Sequence, residues 1–144
     1  MIALDFSLAN LTFDSDLSLH STNSGKANDY RDIMKMICSS YPANLNIPIF
    51  GYSAKTSKLS AVQADLFPLS KDLRNPFIPN DEAVIDEAYS HCLQAVELSS
   101  PIKLAPFLAF AKRLGTSVRA QITEGKLDSF YVLYILSAGL IDDL

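Results

Sequence analysis

The first residues, MIALDFS, stay apolar up to Asp5, and Met1–Ser7 reads as a short buried strand that ends at a polar loop. Residues 8–28 are dominated by turn formers, closing with SLHSTNSGKAND, and read as a loop with a small helix. From Asn28 the period changes. Tyr30, Ile33, Met34, Ile37 and Cys38 recur at helical spacing, Asn28 or Asp29 can cap the first turn, and Pro42 ends the helix. NIPIFGYSAK is a second short apolar run, closed by Gly51 and the small residues after it. Lys58–Leu69 alternates imperfectly and carries Pro68, so it reads as an edge strand, and NPFIPN as a turn-rich connector.

The second half is more regular. DEAVIDEAYSHCLQAVEL has acids in its first turn, where the positive end of the helix dipole favours them. Its inward face is Ile85, Ala88, Tyr89, Cys92 and Val96, and Ser99, Ser100 and Pro101 break it. Another helix runs from about Leu104 to Gln121, with Leu104, Phe107, Leu108, Ala111, Leu114 and Val118 inward, and Gly125 and Lys126 turn the chain. SFYVLYILSAG is a continuous apolar run, as in strands covered on both faces of a parallel sheet. Tyr89, Tyr131 and Tyr134 fall on apolar faces and read as core. Strands alternating with helices predict an α/β layered fold with a mostly parallel central sheet flanked by helices.

The 144 residues predict one domain, 1–144, and 49% hydrophobic content supplies a core. A net charge of −4 gives no counterion-release advantage on a polyanion, so nucleic acid is not an expected partner. Cys38 and Cys92 lie on apolar helix faces and read as buried thiols of a reducing compartment. His20 and His91 lack the neighbours of a zinc site, and no phosphate-binding glycine loop or nucleophile elbow is present. Asp14 and Asp16 read as solvated loop acids, and no catalytic residue is identified.

In sheets of this kind ligands gather beyond the carboxyl ends of the strands, where DFSLAN, SSPIKLAP and SAGLIDD should meet. The succession DFSLAN, IFGYSAK, DLFPLS…NPF, EAYSHCL, SPIKLAP and YVLYILSAGLIDDL resembles the A domain of copines, a relative of the von Willebrand factor A fold, over nearly the whole chain. The resemblance implies a three-layer Rossmann-like architecture. It also implies a metal-ion-dependent adhesion site, written Asp-x-Ser/Thr-x-Ser at the first strand end, with a Thr and an Asp from two further loops. Asp5 and Ser7 match that pattern. Ala9, Ile102 and Ala138 stand where a hydroxyl, a Thr and an Asp belong.

One carboxylate and one hydroxyl are a poor donor set for Mg²⁺, which wants six oxygens in tight octahedral geometry, and Ca²⁺ also draws affinity from ligand charge. The site is therefore expected to be vestigial: no cofactor, with any Mg²⁺ or Ca²⁺ binding weak. Asp142 and Asp143 could replace lost ligands, against the simpler reading of a solvated acidic end. A buried Asp5 needs partners, and Ser7, Asn10 and Ser137 are in reach. Lys103 could bring an ammonium to the missing metal's charge, or point into water. By the resemblance, a further helix and one or two strands should follow the last predicted strand. Without them one sheet edge would be open, to be covered by more of a longer product or by another chain, or else left as a marginal fold.

The expected function is a non-enzymatic protein-interaction module of the copine A-domain type, cytoplasmic, binding another protein of unknown identity. Membrane contact is expected only through other domains of a longer copine. The alternatives are a fragment of a calcium-dependent phospholipid-binding copine whose C2 domains lie outside this chain, and a non-functional remnant.

Overall fold

The computed structural model describes residues 1–56, 65–125 and 131–143. In chain order the elements are β1 (Ile2–Asp5), a 3-10 turn (Leu8–Asn10), α1 (Asp29–Ser39), β2 (Asn46–Tyr52), β3 (Ala54–Lys55), β4 (Leu66–Pro68), β5 (Phe77–Pro79), α2 (Glu82–Ala95), β6 (Glu97–Leu98), α3 (Ala105–Thr123) and β7 (Tyr134–Leu136). The main sheet runs β4-β2-β1-β7, with β5 also on β2. Its centre is parallel, β1 lying between β2 and β7. Its outer margin is antiparallel, where β4 and β5 pair with successive stretches of β2. A two-residue ladder, β3 with β6, sits apart.

Alternation along the strands divides the core in two. Ile2, Leu4, Phe6, Ile47 and Ile49 pack beneath α1 and α2 with Met34, Ile37, Ile85, Tyr89 and Cys92. Ala3, Phe50, Tyr52 and Leu66 pack with Ile102, Leu104 and Phe107 at the start of α3. The sheet is thus the middle layer of three, as the pattern predicts. Gly51 belongs to this packing: a Cβ there would run into the Phe67 ring, which lies across it. Asn28 caps α1 by accepting from the Arg31 amide at 3.0 Å. Asp81 caps α2 through the amides of Ala83 and Val84. Across the two helices Arg31 meets Asp86 at 2.8 Å and Lys35 meets Glu82 at 2.9 Å.

Several expectations are corrected. The connector NPFIPN contains β5, because Phe77 and Ile78 find the free margin of β2 despite the flanking prolines. Of the predicted Lys58–Leu69 edge strand, Leu66–Pro68 is a strand at the sheet margin, as read, although fully buried, and residues 58–64 lie outside the described residues. The run SFYVLYILSAG was expected to be covered on both faces. Its strand is only Tyr134–Leu136, partly exposed, because it pairs with β1 on one side and with no strand on the other among the described residues. Residues 126–130 are outside them. Tyr131 is half exposed, not core. Cys38 and Cys92 are buried free thiols, and desolvation pushes Cys92 up to about 12. Among the described residues no helix is long and apolar enough to cross a membrane.

Candidate functional site

The carboxyl ends of β1 and β7 meet at Asp5, and the loop leading into α3 comes against the following turn through the bridge between Ser7 and Ser99. The strand alternation that sends Leu4 under α1 leaves Asp5 fully buried at the end of β1. Its carboxylate accepts three hydrogen bonds. The Ser7 amide donates to Oδ1 at 2.8 Å in an Asx turn. Oδ2 receives the Ser137 hydroxyl at 3.2 Å and the Ala138 amide at 3.0 Å. Asp5 therefore ties its own turn to the end of β7, where Ala138 contributes a backbone donor.

Apolar groups fill the space beside it. A Cβ built on Gly139 would lie 2.9 Å from Ile102 Cδ1 and 3.1 Å from Ala9 Cβ, so these three residues close against one another. Ala9 and Ile102 thus form a small apolar contact around Gly139. Outside it, Leu8 and Leu140 are 55% and 91% exposed. Among the described residues, Ser7 Oγ and Asn10 Oδ1 are buried oxygens here without a hydrogen-bond partner.

Asp142 and Asp143 are exposed, as a solvated acidic end would be, but their carboxylates are also tied to backbone amides. Asp142 Oδ2 accepts from the Ile102 amide at 2.7 Å, and the Asp142 amide donates to the Ile102 carbonyl at 2.9 Å. Asp143 accepts from the amides of Leu104 and Ala105 at 2.8 and 3.1 Å, capping α3 from a distant part of the chain. Leu104 at the helix start has no capping side chain of its own, and orphan amides at a helix start need acceptors. Lys103 is also placed differently from its expected role. Its ammonium pairs with Asp65 at 3.3 Å instead of Asp5, and its amide donates to Ser53 Oγ at 2.7 Å. Asn10 reaches Asp5 through the backbone: its Nδ2 donates to the Asp5 carbonyl at 2.8 Å.

Sequence reasoning missed the layer beneath. His20 lies fully buried between Phe6 and Tyr30, with ring centroids at 4.5 and 4.2 Å. Its Nε2 is 2.7 Å from the Asp5 carbonyl, which can only accept, so Nε2 carries the proton. Burial lowers His20 to about 4, so the ring is neutral at pH 7 and Nδ1 is an acceptor. Tyr89 Oη lies 2.6 Å from that nitrogen and 2.9 Å from Asn28 Oδ1, and its single proton serves either. A lone His in a polar loop gives no signal of this role. The uncapped start of α3 did carry a signal, for Asp143.

Among the described residues no three His, Cys, Asp or Glu side chains converge as a metal-ligand set. The family model for copine matches residues 18–144. The chain belongs to the copine family. It is 28% identical to a Caenorhabditis elegans protein named nicotinic receptor-associated protein 1, and 27% identical to the Caenorhabditis briggsae protein of the same name. Each alignment covers 99% of this chain but 22% of the relative, so the chain spans about a fifth of the length of the curated relatives it matches. The three-layer order of a copine A domain, which is von Willebrand factor A-like, accords with the architecture described above.

Proposed function

We propose that this chain is a non-enzymatic protein-interaction module of the copine A-domain type that recognises its partner around the Asp5 crevice without a bridging divalent ion. The observation that carries this reading is the contact of Ile102 and Ala9 against Gly139, where a copine-type site would place oxygen ligands. Both Asp5 oxygens are already engaged by hydrogen-bond donors, and Asp142 and Asp143 are spent on backbone amides. The residues present do not fit the six-oxygen shell of Mg²⁺. Ser7 Oγ and Asn10 Oδ1 are buried oxygens that could face a cation, but the nearby Ser137 hydroxyl is already bonded to Asp5. Partner contact then falls to the exposed apolar groups at the mouth, Leu8 and Leu140. A cytoplasmic location is part of the proposal. The naming of the relatives for receptor association supports a protein partner.

Calorimetric titration with Mg²⁺, Ca²⁺ and Mn²⁺ tests the metal claim. The expected result is dissociation constants no tighter than about 1 mM, unchanged in Ser7→Ala. Micromolar binding abolished by Ser7→Ala overturns it. For the interaction claim, Leu140→Glu should reduce recovery of the partner that copurifies with this chain. Undiminished recovery overturns the crevice as the docking point.

A further inference from the structure

On the far side of β2 from the crevice, a cleft of about 530 Å³ opens between β5 and α2. Its apolar walls include Ile78, Phe77, which is 40% exposed, and Val84, which is 41% exposed. Lys71 from the β4–β5 loop and Glu87 from α2 also line it, and neither has an ion-pair partner among the described residues. Lys71 holds a left-handed backbone, φ 68°, which is costly for a residue with a side chain.

The backbone of β5 adds an independent indication. The Asn80 amide donates to the Leu45 carbonyl at 2.9 Å, and Ile78 is opposite Ile47. Antiparallel pairing alternates, so the peptide groups of Ile78 face β2 and those of Phe77 face outward. The Phe77 amide and carbonyl therefore lie on an open sheet edge beside the cleft. Pro76 and Pro79 keep that edge one residue wide, which blunts indiscriminate strand pairing.

We propose that this cleft is a second binding site, separate from the Asp5 crevice, that takes an extended peptide segment of a partner protein. The segment pairs with Phe77 through its own amide and carbonyl. An apolar side chain enters the cleft, and an acidic and a basic side chain on the same face of the strand meet Lys71 and Glu87. Strand addition supplies the backbone bonds and the cleft supplies the choice of side chains. A small-molecule site is less suited, because the open backbone groups of Phe77 match a peptide and the two unpaired charges stand on opposite walls, on the loop and on the helix.

The test uses the whole chain, ¹⁵N-labelled, titrated with the capped peptide acetyl-Glu-Thr-Val-Thr-Lys-amide, whose Glu, Val and Lys share one strand face. Amide shifts are expected at Phe77, Ile78, Lys71 and Val84. Methylating the peptide's backbone nitrogens, or replacing its Val with Asp, should weaken binding about tenfold or more. Lys71→Glu with Val84→Lys in the protein should do the same, while Leu140→Glu should leave it unchanged. The proposal is overturned by no shifts at about 1 mM peptide, by shifts centred on Leu8 and Ile102, or by equal binding of the methylated peptide.

Discussion

The Asp5 crevice and the β5–α2 cleft use polar groups in opposite ways. At the crevice a buried carboxylate has spent its oxygens on Ser7, Ser137 and Ala138, and two further acids are bound to backbone amides. At the cleft, the Lys71 ammonium and the Glu87 carboxylate have no ion-pair partner among the described residues, and the Phe77 peptide groups face away from β2. The first arrangement stabilises the fold and the second is free to meet a ligand. Under the proposed function, a position that matches a ligand-binding pattern need not keep a ligand-binding role. What matters is whether its polar atoms are still available.

That contrast is sharpened most by Asp5→Ala. It leaves three donors at the end of β1 without their acceptor, and thermal or denaturant unfolding should show a loss of about 4 kcal/mol. A loss below about 1 kcal/mol would mean the carboxylate does not hold β1 to β7. Next comes acidity. His20 is held near 4 in the fold, against an ordinary value of 6.5. The unfolded chain takes up this proton first as pH falls, so the His20 contribution is fully present above pH 6.5 and is lost between 6.5 and about 4. Its size is about 3 kcal/mol. Unfolding curves across that range should show the slope, and His20→Gln should remove it; an unchanged slope in the variant would assign the effect elsewhere.

Smaller effects complete the series. Asp143→Ala should cost about 1–2 kcal/mol, as for a lost helix cap, with faster amide exchange at Leu104 and Ala105. Ser7→Ala should change stability by no more than about 0.5 kcal/mol, since Ser7 Oγ has no partner to lose. A cost above about 2 kcal/mol would reveal a bound water or cation on that hydroxyl. Lys71→Glu with Val84→Lys should likewise stay within about 0.5 kcal/mol, because neither side chain is part of the buried core.

The elements legible in the sequence were those with a period or a cap. Tyr30, Met34, Ile37 and Cys38 mark α1 at helical spacing, and Asn28 caps it as expected. The apolar run into Asp5 marked β1, and Ser7 and Ser137 were in reach of Asp5 as expected. β5 was hidden because two prolines in NPFIPN read as punctuation, while its pairing depends on a free margin of β2 that no local window displays. The exposure of β7 was hidden for the same reason: apolar content does not say how many neighbours a strand has. Lys103 and Asp143 were misplaced because Asp65 and the start of α3 are close to them only in space.

The stretch from Leu11 to Asn28 has almost no regular structure, and its composition suggests a loop that would fray. Its one imidazole is nonetheless clamped between two core rings and bonded to the end of the central strand. Pulling that peg out means parting Phe6 from Tyr30, so the loop can be released only by opening the hydrophobic layer under α1 and α2. Proteases that cut exposed loops should find this one slow to yield around residue 20, at a rate tracking opening of the whole layer.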